Sequence, residues 1–245
     1  FTTSTESVTY TVAVQEQCYN SNTTSNWSTA TSSSYTRPSS GGPITYNGGR
    51  GSWTAPAGVT SVTAYVWGAG GSGSSGCFNQ GGGGGGAFAT KVISVTPGSS
   101  YNYSVGSAAS EGAGYDSWFV NSSTVLAKGG GYASSTTGAI GGQASASIPT
   151  TGAYSGGNGS NGDTSSAWGG GGGGGAGSGG NGSNGIYGSP GTGGAGGVGT
   201  YPGGGGGTGS GGSAGAAPGG GGGGTDSYDC GLGTLGGNGK IILVW

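Results

Sequence analysis

The sequence predicts an all-β protein: a small β-sandwich carrying a large glycine-rich insert whose segments pack as extended helices. Three observations point there. Glycine supplies 71 of 245 residues, and from Gly170 to Gly224 it keeps a three-residue phase, filling 16 of 19 positions with Ala176, Thr200 and Pro218 as the exceptions. That period matches an extended helix with three residues per turn and no internal hydrogen bonds. Short runs of β-branched and aromatic residues, bounded by turn signals, fill residues 50–127. The chain then ends in Lys240-Ile241-Ile242-Leu243-Val244-Trp245, a stretch too apolar to stand in water as a free strand.

The elements follow in chain order. Residues 7–15 alternate, with Val8, Tyr10, Val12 and Val14 on one face and Thr9, Thr11 and Ala13 on the other, the period of a half-buried strand. Residues 18–42 are rich in Ser, Thr and Asn and read as a loop or stalk. Strands are expected at 50–55, 61–67, 87–95 and 101–105, separated by turns such as Pro56-Ala57-Gly58 and Pro97-Gly98. Residues 117–120 and 124–127 form a hairpin around Asn121-Ser122-Ser123. After Lys128 the strand signal gives way to glycine until residue 240. The layout is therefore an N-terminal strand and loop (1–49), a β-domain (50–128, closed by 240–245) and a glycine-rich insert (129–239).

Composition excludes several classes. A collagen helix needs roughly 15–20% Pro or hydroxyproline, and this chain has 8 prolines, with runs such as 81–86 and 203–207 glycine throughout. A disordered linker lacks aromatics, whereas here there are six Trp, thirteen Tyr and four Phe. Nucleic acid requires a basic patch, and the five cations are scattered along the chain at Arg37, Arg50, Lys91, Lys128 and Lys240. A helical membrane span needs about 20 consecutive apolar residues, and the longest apolar run is 241–245.

Ordering glycine is entropically expensive. Extended helices without internal bonds must therefore find partners for each N–H and C=O on neighbouring helices. Several helices have to form together, with turns expected at Ile148-Pro149, Ser189-Pro190, Tyr201-Pro202 and Ala216-Ala217-Pro218.

Three blocks recur in the order strand, poly-Gly, strand, Pro-Gly turn, strand: residues 53–71, 86–98 and 239–245. In this order they resemble a glycine-rich domain family found in phage tail fibres and bacterial surface proteins. The resemblance covers residues 50–245 and implies that the glycine segments form a stacked polyglycine II bundle, as in tail-fibre tip adhesins. Residues 1–49 fall outside it.

Candidate sites are few. With no histidine in the chain, catalytic triads have no base, and no enzyme activity, cofactor or metal centre is expected. Asp226 and Asp229 are the one close carboxylate pair and read as a solvated loop. Of Cys18, Cys77 and Cys230, two can pair in an oxidising compartment. Cys77 and Cys230, each beside a glycine-rich loop near an expected strand, are the preferred pair. Asn-x-Ser/Thr sequons at Asn22, Asn26, Asn102 and Asn121, with two more at Asn158 and Asn181, permit glycosylation. Trp27, Tyr35, Trp168, Tyr187 and Tyr201 lie outside clear strands and either contact a partner or cap the bundle.

The chain starts at Phe1 and contains no Met, which reads as a secreted, extracellular protein whose signal peptide has been removed. The expected function is non-enzymatic: a subunit of an extracellular filament or surface appendage. Copies of the chain would be its partners, the 7–15 strand adding to a neighbour's sheet. The other reading is a fibre-tip adhesin that binds a cell-surface receptor, such as a glycan, through glycine-bundle loops.

Overall fold

The computed structural model describes residues 41, 43–77, 79–165, 168–187, 191–209, 212–226 and 233–245. Among the described residues, eight strands form two antiparallel four-stranded sheets facing each other. The first sheet runs β1 (Ile44–Tyr46), β8 (Lys240–Val244), β3 (Ser61–Trp67), β4 (Phe88–Ser94). The second runs β2 (Gly49–Thr54), β5 (Ser100–Val105), β6 (Ser117–Phe119), β7 (Val125–Ala127). The all-β, sandwich-like class expected from the sequence is what is seen, and each expected strand from 50 onward lies within a residue or so of its observed bounds.

Alternation explains the layers. Val62, Ala64 and Val66 of β3 and Ile241 and Leu243 of β8 point between the sheets, meeting Trp53, Val105, Phe119, Val125 and Ala127. The intervening Tyr65, Trp67, Ile242 and Val244 face the other way and are covered by Phe88, Tyr154, Ala176 and Tyr201. Both faces of the first sheet are thus packed, which is why β8 is apolar at successive positions. The C-terminal strand lies between β1 and β3, pairing with both.

The Pro97-Gly98 turn joins β4 to β5 with Gly98 at φ +79, a left-handed backbone that suits glycine. Asn121 closes the β6–β7 hairpin, its Oδ1 accepting from Ser123 N–H at 2.9 Å and from the Ser123 and Thr124 hydroxyls. β1 is an addition to the expected strands, and residues 1–40, including the 7–15 strand, lie outside the described residues.

Strands run directly into glycine segments: β3 into 68–75, β7 into 128–135, and 79–87 and 233–239 lead into β4 and β8. Residues 68–77, 79–86 and 106–116, inside the stretch read as β-domain, therefore belong to the glycine network as well. In residues 80–88 the backbone N–H groups turn to three neighbours in rotation. Gln80, Gly83 and Gly86 donate to Thr225, Gly222 and Gly219; Gly81, Gly84 and Ala87 donate to Ser135, Gly131 and Lys128; Gly82, Gly85 and Phe88 donate to Ser160, Gly157 and Tyr154.

The carbonyls rotate in the same way. Gln80, Gly83 and Gly86 accept from Gly170, Gly173 and Ala176; Gly81, Gly84 and Ala87 accept from Ser74, Gly71 and Gly68; Gly82 and Gly85 accept from Ala139 and Gly142. These bonds span 2.6–3.0 Å. One segment thus has six hydrogen-bonded neighbours, where a strand has two.

Crowding tracks this connectivity. A Cβ placed at any glycine of the 81–86 run would come within 3.0 Å of a neighbouring backbone carbonyl. At the periphery one face of three is closed: Gly191, Gly194 and Gly197 are buried while Thr192, Ala195 and Val198 are exposed. Chain reversals fall at 148–152, 199–201 and 217–219, close to three of the four expected proline turns, and the expected turn at Ser189-Pro190 lies outside the described residues.

Candidate functional site

The two lateral edges of the sandwich are finished differently. On the β4/β7 side, Leu126 and Ile148 exchange backbone hydrogen bonds of 2.7 and 2.8 Å, and Phe88 and Tyr154 do the same at 2.9 and 3.0 Å. The segment carrying the 3₁₀ turn Ala144–Ala146 thereby meets β7 at Leu126 and β4 at its first residue, Phe88. On the opposite side, among the described residues, β1 pairs with β8 alone and β2 with β5 alone. An open edge is a row of backbone donors and acceptors ready for another strand.

That open side is stiffened by aromatics. Tyr46 of β1 stacks on Tyr103 of β5 with ring centroids 4.0 Å apart. Burial and the neighbouring Tyr103 push the Tyr46 phenol above its ordinary value. Trp245 lies 5.3 Å from Trp53, and Gly41 sits so close to the Trp245 indole that a Cβ would collide with it. Gly41 therefore lies at this end of the fold, and the Trp245 indole N–H is buried with no partner among the described residues.

The remaining expected sites scatter over the molecule. Cys77 is disulfide-bonded; Cys18 and Cys230 lie outside the described residues, as do Asn22, Asn26, Val8, Tyr10, Val12, Val14, Trp27, Tyr35 and Asp229. Asn102 is exposed on β5, and Asn121 is exposed in its turn. Asp226 is buried rather than solvated, at 5% exposure, inside the glycine network. Tyr201 is no exposed contact: it packs 4.8 Å from Tyr65 and edge-on to Trp67, whose indole N–H donates to Ala176 O at 2.9 Å.

Tyr187 is 55% exposed, and its hydroxyl donates to buried Asp163 at 2.6 Å. That bond holds the phenol above its ordinary value. Ser165 donates to the same carboxylate through both N–H and hydroxyl. Asp163 is a loop clip that composition did not reveal, because it joins its near neighbour Ser165 to Tyr187, 24 residues along the chain.

Asparagine side chains finish the bundle's rim. Asn158 and Asn161 accept from Gly141 and Gly138, both at 2.9 Å, and Asn181 and Asn184 accept from Ser155 and Asn158, both at 2.8 Å. Spaced by three, these amides stand in for the carbonyls of a further segment. Among the described residues no three His, Cys, Asp or Glu side chains come together, and no helix is long and apolar enough to cross a membrane.

Comparison with known proteins agrees with this architecture. The glycine-rich domain family matches residues 45–245, from β1 through the glycine network to the last residue. No match to a curated protein accompanies it. With most of its length matched, from the first strand of the sandwich to the last, the chain belongs to the glycine-rich domain family.

Proposed function

We propose that this protein is a structural subunit of an extracellular filament, assembled when the 7–15 strand of one copy adds to the β1 edge of the next. The observation that carries the reading is the asymmetry of the sandwich. One side is bonded by the chain's own 148–154 segment at Leu126 and Phe88, while β1 and β2 each have one partner strand among the described residues. Gly41, which precedes β1, sits against Trp245. Added strands gain main-chain hydrogen bonds and side-chain pockets together, and the apolar face of Val8, Tyr10, Val12 and Val14 suits a sheet whose inner face is Ile44, Tyr46 and Leu243. A head-to-tail contact of this kind propagates into an open fibre.

In this reading the glycine segments are polyglycine II helices forming a rod continuous with the sandwich. The rotation of hydrogen bonds every three residues supports it. Extracellular placement and a bond between Cys77 and Cys230 belong to the same reading. Thr225 bonds through its hydroxyl to Gly76 O at 2.9 Å, next to Cys77, and Gly233 is crowded against Gly73, so both flanks of the 227–232 segment lie along residues 73–76.

Electron microscopy of the purified chain tests the assembly. Filaments are expected from the full chain, and deletion of residues 1–17 is expected to leave discrete particles. Filaments that survive the deletion sink the strand-addition mechanism. An adhesin is the second reading, favoured by exposed Ile186 and Tyr187 on the glycine region; it predicts discrete monomers or trimers from the full chain.

A further inference from the structure

The outer face of the second sheet carries a row in register across all four strands. Arg50 of β2 faces Ser104 of β5, Ser104 faces Trp118 of β6, and Trp118 faces Leu126 of β7. Their chain neighbours Val105, Phe119, Val125 and Ala127 point into the core, so alternation turns this row outward. The row lines a cleft of about 590 Å³, within the ~300–1,000 Å³ of small-molecule sites. Ser104 and Leu126, 4% and 8% exposed, make the floor. Tyr115, 62% exposed, stands at the rim where the sheet passes into the glycine segments.

Charge in the cleft is uneven. The Asp116 carboxylate is already occupied, Oδ2 by Lys128 Nζ at 2.6 Å and Oδ1 by the Gly129 N–H at 2.8 Å. Arg50 is exposed and has no ion pair among the described residues. The cleft therefore offers a guanidinium with its donors unspent, beside an indole and a phenol.

We propose that this cleft binds an acidic sugar, a uronate unit of a polysaccharide, with the ring on Trp118 and the carboxylate on Arg50. A pyranose presents a flat C–H face that packs on an aromatic face, whose electron density is negative. Its hydroxyl rim can bond to Ser104 and to the Tyr115 hydroxyl. The carboxylate matches the planar fork of arginine, which can hold both oxygens at once. A free phosphate would use Arg50 and leave Trp118 idle; a neutral sugar would do the reverse. The site is separate from the β1 edge and does not depend on polymerisation.

Calorimetric titration of the full chain with tetragalacturonate, neutral cellotetraose and hexaglutamate tests the assignment. Tetragalacturonate is expected to bind at least tenfold more tightly than either of the others, and more weakly as salt rises. Arg50→Gln should remove that preference, Trp118→Ala should remove saccharide binding altogether, and Lys91→Gln on β4 should change nothing. Thermal midpoints identify any variant that fails to fold; should Trp118→Ala do so, Tyr115→Ala, with an expected loss of several fold, takes its place. Equal binding of acid and neutral sugar, an unaltered preference in Arg50→Gln, hexaglutamate binding as tightly as the sugar acid, or no binding at millimolar tetragalacturonate would each overturn the proposal.

Discussion

A single methyl group distinguishes the two kinds of glycine in this protein. At Gly83 an added Cβ would run into the carbonyl of Gly71 on an adjacent segment, and backbone on both sides leaves no room to yield. Gly83→Ala should therefore destabilise by about 1–3 kcal/mol or more, as overpacking does. At Gly205 the nearest atom to an added Cβ is Gly194 O at 3.7 Å, an ordinary contact, and φ there is not left-handed. Gly205→Ala should instead stabilise by about 0.4–1 kcal/mol, because the unfolded chain loses freedom. Denaturant titration of the two variants gives opposite signs if steric exclusion governs the network, and matching signs if composition alone does. The three-residue phase in the sequence already marked the inward face of the peripheral segments. Continuous runs such as 81–86 have a separate cause, since a segment with neighbours on every side has no face on which a side chain fits.

Elements were legible in proportion to their length and alternation. β3 was read to the residue because its inward Val62, Ala64 and Val66 alternate over seven residues. β1 has three residues, Ile44, Thr45 and Tyr46, too few for a period; β8 makes it a strand. The asparagine rim was likewise hidden, because Asn158 and Asn161 look like any polar loop residues until Gly141 and Gly138 are placed beside them. Asn158→Ala should leave the Gly141 N–H without its acceptor and lower stability by about 1 kcal/mol. Asn158→Asp, which keeps the acceptor oxygen, should recover most of the loss. If both variants melt alike, the side chain serves some purpose other than replacing a carbonyl.

At the scale of the whole molecule, sandwich and glycine network share their chains. Residues 68–74 continue β3, 128–135 continue β7, and 233–239 lead into β8, so neither part can open without straining the other. Trp67 adds a side-chain tie through Ala176, and Tyr201 covers the same face of the sheet. Heating should therefore give a single cooperative transition. The amides of Gly82–Gly85 should resist hydrogen exchange about as strongly as those of Val66 and Leu243. Two separate transitions, or fast exchange in the glycine run alone, would show that the network is an independent unit.

Alternation, turn chemistry and the glycine phase are local properties, and they were enough to read the all-β class, the strands from 50 onward and the inward face of the peripheral glycine segments. Which segments became neighbours is a matter of long-range hydrogen bonding. Gln80–Phe88 satisfies its backbone through partners as distant as Thr225, and no local pattern encodes that pairing. The same holds for Arg50 and Trp118, whose strands are joined through β5 alone, and for Tyr201, drawn from a loop into the sheet's second face. A glycine can bond in any direction, so its partners are set by what the rest of the chain packs against it.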